Sequence, residues 1–225
     1  MDIEYVKPAE IEARSFSILT AELAEKGVVL TGDTAPVIKR CIHTTADFDY
    51  AKTMVFSDGA VAKLKELIRS GASIVTDTNM ALAGISRREF GRYGGGLHCF
   101  MADPEVAEEA SMRGATRASV SMEKAAALPG PVIFAVRNAP TALLTLWEQY
   151  RAGIYKPAFI IGVPVGFVNV VESKEEIFEI CEEHDIPAIV AFGRKGGSNV
   201  AASICNALLY SAVDMVDPIK RGWQK

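Results

Sequence analysis

The sequence is poor in the features that announce membranes, nucleic acids, metals and nucleotides. No apolar stretch reaches about 18 residues without a charge or a turn signal, so no membrane-spanning helix is expected. The opening MDIEYVKPAEIEARSF lacks a basic segment followed by an apolar core, and a secretory leader is not expected either. A soluble, cytoplasmic protein is the expectation. Basic residues are not in excess: 24 Lys and Arg against 28 Asp and Glu give a formal net charge of −4. Phosphate contacts need a basic stripe, and its absence excludes a general nucleic-acid binder.

Cysteine and histidine are sparse as well. Cys41, Cys99, Cys181 and Cys205 never fall at C-x-x-C spacing, so neither a zinc knuckle nor a redox pair is suggested, and reduced thiols are expected. His43, His98 and His184 stand far apart, and no dedicated protein metal site is expected. His98 beside Cys99 is a poor ligand pair, because neighbours in an extended segment diverge. The G-x-G-x-x-G, G-x-S-x-G and paired-carboxylate patterns are all missing, which removes the usual signals for a dinucleotide enzyme, a serine hydrolase and a glycosidase.

What is present is a repeated alternation of apolar run and amphipathic segment. ASIVTDT reads as a buried strand; PVIFAV (131–136) leads into a helix at about 141–150, PAFIIGVP (157–164) into one at 173–184, and PAIVAF (187–192) into the final helix. Such units imply right-handed crossovers in one α/β domain spanning residues 1–225, a mainly parallel β-sheet flanked by helices. Further helices are expected over 8–26, closed by Gly27; from Thr34 and Pro36 through His43; from a cap at Asp58 to Ile68; and from Asp103 and Pro104 onward. Ser173 with Glu176 fits a capping box, and ESKEEIFEICEEH reads as a solvated acidic helix face. GRYGGGLHCF reads as a flexible loop, with residues 91–96 able to serve as a lid.

Two stretches carry candidate chemistry. In KRCIHTTADFDY a continuous helix would set Arg40, His43 and Asp47 on one face: a cation to hold a carboxylate, an imidazole to donate a proton, and a carboxylate to orient it. An ordinary amphipathic surface has the same spacing. In FGRKGGSNVAASICNALL a Gly-rich turn meets a helix N-terminus beside Arg194 and Lys195, which suits an anion. Lys195 precedes Gly196 and Gly197, so the turn is not a Walker A loop. The glycines also fit a turn that merely lets the helix pack closely.

RCIHTTADFDY, TDTNMALAGI, RNAPTALLTL, GVPVGFVNVVESKE and GRKGGSNVAASICNALL, in this order, resemble the precorrin-8X methylmutase (cobalt-precorrin-8 methylmutase) family of cobalamin biosynthesis over nearly the whole chain. The resemblance implies an isomerase that moves a corrinoid ring methyl from carbon 11 to carbon 12, without redox cofactor or external methyl donor. Cobalt would enter only inside the substrate macrocycle. It further implies His43 as the catalytic proton donor or acceptor, Arg40 as a substrate ligand, Ser17 as a contact from the first helix, and a homodimer that hands its product to a side-chain amidase. With the family in view, Arg194, Ser198 and Asn199 become the candidate rim for the substrate's carboxylates. A non-catalytic corrinoid carrier and a phosphate-binding α/β enzyme are the competing readings; a carrier would have no need of His43.

Overall fold

The computed structural model describes residues 4–212. Among them six strands form one sheet: β1 (Met54–Phe56), β2 (Ser73–Thr76), β3 (Leu97–His98), β4 (Val132–Val136), β5 (Phe159–Gly162) and β6 (Ala188–Ala191), in the order β1-β6-β5-β4-β2-β3. All neighbours are parallel except β1, which runs antiparallel to β6. The helices are α1 (Ile11–Glu25), α2 (Ala35–Thr45), α3 (Tyr50–Thr53), α4 (Ala60–Arg69), α5 (Asn79–Gly84), α6 (Arg87–Phe90), α7 (Pro104–Arg113), α8 (Arg117–Ala126), α9 (Pro140–Arg151), α10 (Val170–Glu183) and α11 (Ser198–Ala212). The expected α/β class holds.

The central strands are buried on both faces, which is why they read as unbroken apolar runs. Ile74, Ile133, Ala135, Ile161 and Ile189 point to one layer, packed with Leu19, Ile42, Leu64, Ile204 and Leu208 from α1, α2, α4 and α11. The alternate residues Val75, Phe134, Ile160 and Val190 point to the other, against Met122, Leu143 and Phe178 from α8, α9 and α10. A one-residue slip of any central strand would exchange these sets.

Several local expectations are corrected. Leu97–His98, inside the stretch expected as a loop, is a strand at the far edge, and the short Met54–Phe56 strand forms the other edge. Residues 91–96 are not a free loop: Gly91–Tyr93 form a 3₁₀ turn, and a side chain at Gly95 would stand 2.3 Å from the Ala72 carbonyl oxygen. Gly59, not Asp58, caps α4 with a left-handed conformation (φ 65°). Asp103 gives its side chain to Lys124 (2.7 Å) rather than to the start of α7. α10 begins at Val170 after Asn169, so Ser173 lies inside the helix, and its hydroxyl donates to the Val170 carbonyl instead of forming a capping box. α8 had no counterpart among the expected helices; Thr116 caps it by accepting from the Ser119 N–H (3.1 Å).

The carboxyl ends of β2, β4, β5 and β6 gather on one rim. Because β1 runs the opposite way, it is its beginning, and with it the end of α2 and the 46–53 segment, that meets this rim; the Phe192 N–H donates to the Thr53 carbonyl (2.8 Å).

Candidate functional site

α2 ends at Thr45 because Ala46 turns left-handed (φ 54°), where its N–H closes on the Ile42 carbonyl. That break decides the fate of the expected Arg40–His43–Asp47 face. Arg40 and His43 stay together, both against the Phe16 ring of α1: the imidazole lies parallel to it (5.0 Å between centroids, 8° between planes), and the guanidinium stands 4.8 Å from the ring centre. Asp47 is turned elsewhere. It forms an ion pair with Lys195 (2.7 Å) and accepts from the Asp49 N–H, so it does not orient His43.

Arg40 also holds Glu12 of α1 (2.7 Å) in a half-buried ion pair. A guanidinium has five donors, so this contact fixes its direction and leaves capacity for a second carboxylate. His43 itself is exposed, and burial of part of its ring is the first cause holding its pKa below the ordinary value; the Arg40 charge lowers it further, while Glu12 opposes both. Two clefts open beside this cluster. One, of about 370 Å³, is lined by Glu12, Phe16, Pro36, Lys39 and Arg40. The other, of about 280 Å³, is lined by Ile18, Glu22, His43 and Phe48. Ser17 is exposed and follows Phe16 on α1.

The Gly-rich turn forms the second half of the site. Lys195 joins it to the first half through Asp47 and Asp49 (2.5 Å to the latter). Arg194 is exposed and stacks over the Phe167 ring (5.4 Å). Ser198 opens α11 with its hydroxyl buried and without a hydrogen-bond partner, an unusual state for a buried polar atom. Asn199 is exposed, and its side-chain oxygen accepts from the Val200 N–H. The turn leaves no room for side chains at its centre: a Cβ on Gly196 would stand 2.1 Å from the Val163 carbonyl oxygen. Gly196→Ala is therefore expected to push the turn off the β5 loop and to cost about 2 kcal/mol, or roughly 4–8 °C of Tm for a chain of this size. A thermal melt of the variant checks this.

Two buried ions that the sequence did not reveal shape the rim. Asp77, fully buried after β2, accepts from the N–H groups of Arg137 (2.9 Å), Asn138 (2.7 Å) and Ala139 (2.8 Å) in the loop after β4. This bridges the crevice where the strand order reverses, the place at which open α/β sheets usually bind ligands. Burial raises the Asp77 pKa, and the three N–H donors oppose the rise. Lys174 of α10, placed by sequence on a solvated face, is instead fully buried beneath the Gly-rich turn, and burial pushes its pKa down to about 8. Three further arginines make contacts within the protein: Arg113 pairs with Glu109 and Glu123, Arg92 with Glu89, and Arg137 donates to Thr78.

Comparison with known proteins decides the family that the motifs suggested. The family model described as precorrin-8X methylmutase matches residues 10–211. The chain belongs to the precorrin-8X methylmutase family. Among methylmutases of this family, cobalt-precorrin-8 methylmutase of Salmonella typhimurium is 40% identical over 216 residues, covering 91% of this chain and 95% of its own. Precorrin-8X methylmutase of Pseudomonas aeruginosa is 34% identical over 208 residues, covering 92% and 97%. A crystal structure of a precorrin-8X methylmutase from Thermus thermophilus superposes with a TM-score of 0.79 at 36% identity, covering 91% of this chain and 98% of that one. These methylmutases are isomerases of cobalamin biosynthesis, and the carrier reading is not favoured. Among the described residues no helix is long and apolar enough to cross a membrane.

Proposed function

We propose that this methylmutase moves the ring methyl of a corrinoid acid from carbon 11 to carbon 12, with His43 as the proton donor. The observation that carries the reading is the placement of His43: an exposed imidazole held flat against Phe16, next to Arg40, beside a cleft. The rearrangement shifts one methyl within the ring and conserves every atom and electron, so it calls for no cofactor and no external methyl donor. His43 as imidazolium lends a proton to the ring as electron density moves during migration, and takes it back when the product forms. Arg40 and Ser17 on one side, and Arg194, Ser198 and Asn199 on the other, meet the acetate and propionate carboxylates; the buried, unpartnered Ser198 hydroxyl at a helix N-terminus suits that task.

The clefts beside the Arg40–His43 cluster, about 280 and 370 Å³, lie below and at the low end of the roughly 300–1,000 Å³ typical of ligand pockets, and a corrinoid fringed with carboxylates needs the high end. A second copy of the chain in a homodimer would close the site, and the exposed Val165, Phe167 and Val168 offer apolar surface for such closure. Asp47 supports the site by fixing Lys195 rather than by orienting His43. A cytoplasmic location and direct handover of product to an amidase complete the proposal.

The pH dependence tests the role of His43. Its lowered pKa means that the cation is abundant only below the ordinary histidine range. With an imidazolium donor, kcat/KM of the free enzyme is expected to fall as pH rises through a value below 6.5. Arg40→Gln removes a neighbouring cation and is expected to move that limb to higher pH. A profile that rises through the same region would make neutral His43 a base instead.

A further inference from the structure

Lys174 lies wholly inside the protein, yet among the described residues no carboxylate pairs with it. A buried cation without an anion is costly, so the backbone contacts it makes have to be strong and numerous. Its ammonium donates to the carbonyl oxygens of Gly193 (2.7 Å) and Lys195 (2.9 Å). The carbonyl between them, on Arg194, accepts from the Gly166 N–H (3.2 Å). Three successive carbonyls of the turn are thus drawn into the 166–174 segment, while the Arg194 and Lys195 side chains stay exposed. The next two residues are fixed as well, Gly196 by its contact with Val163 and Gly197 by donating to the Val163 carbonyl (3.0 Å).

We propose that Lys174 is a positioning residue for the methylmutase reaction: from the far layer of helices it holds the 193–197 turn in the one shape that presents Arg194 and the start of α11 to the substrate's carboxylates. This rests on the corrinoid reading above. An apolar side chain of similar length would fill the space but leave two carbonyls without their donor, and the turn would relax toward water. Three donors on one flexible ammonium suit two divergent carbonyls, whereas the adjacent Gly166 N–H secures only one.

Lys174→Met is expected to raise KM for the corrinoid by about tenfold or more, the scale of one lost charge-assisted contact, with kcat changed by less than about threefold. In the same variant without substrate, hydrogen exchange of the 193–200 amides is expected to quicken while that of β4 and β5 holds. Lys174→Arg, which keeps charge and donors, is expected to recover most of both effects. An unchanged KM, or activity lost only in proportion to the unfolded fraction, would make Lys174 merely structural and overturn the proposal. Should the Met variant fail to fold, the wild type and Lys174→Arg decide: turn amides protected in both support the proposal, and turn amides exchanging as fast as an open loop in the wild type overturn it. The exchange arm needs no substrate. A wild type that neither converts nor binds the corrinoid would therefore sink the functional reading alone.

Discussion

His43→Ala is expected to slow methyl migration by about 10²–10⁴-fold, the usual worth of a positioned proton donor, while the corrinoid product still binds. The expectation follows from how the imidazole is placed. It is exposed and makes a ring contact with Phe16, so its removal leaves no cavity in the core and should barely alter the melting temperature. Absorbance titration with the metal-free corrinoid product, in the wild type and the variant, separates the two roles. A spectral shift retained with turnover lost fits a proton donor. Loss of both together would give His43 a binding role, and unchanged turnover would remove it from the chemistry. Since product and transition state share most contacts, the wild type is also expected to hold product tightly and release it slowly.

The largest effect on stability is expected at Asp77→Ala. The carboxylate is fully buried and accepts three backbone N–H groups, which the substitution leaves without partners inside the protein. Each orphaned donor costs about 1–3 kcal/mol, and release from the burden of a buried charge offsets part of the sum. A net loss of about 3 kcal/mol is expected, equivalent to roughly 6–12 °C of Tm for a chain of this length. Asp77→Asn, which keeps one accepting oxygen, should lose less. Calorimetry of the two variants checks the order; equal melting temperatures in all three proteins would show that the loop after β4 holds itself.

The central strands were legible because burial on both faces leaves an unbroken apolar run, as in VIFAV and FIIG. The edge strands were not, since β1 and β3 are too short for any period to show. The helix carrying His43 was legible from its Pro start, but its end was not: nothing in HTTADFDY marks Ala46 as left-handed, and that one residue turns Asp47 from the imidazole to Lys195. Phe16 was visible only as an apolar helix position, because its partnership with Arg40 and His43 depends on how α1 lies on α2. Lys174 hid among the glutamates of its helix. The charges of its neighbours point outward, and a helix of 3.6 residues per turn can bury one position between them. Even so, two of the family's motifs, GVPVGFVNVVESKE and the one beginning GRKGG, are bonded to each other in the fold.

The antiparallel edge strand also dictates the order in which the molecule can be assembled. β1 pairs with β6 and with no other strand, and β6 ends at Ala191. As the chain leaves the ribosome, β1 precedes every other described strand, but its neighbour β6 does not exist until more than a hundred further residues have followed. The ion pair that joins the halves of the site spans 146 positions. Closing so long a loop slows folding. The first of the described strands thus docks only once the last of them exists, and the site comes into being only as α11, the last described helix, settles over α2.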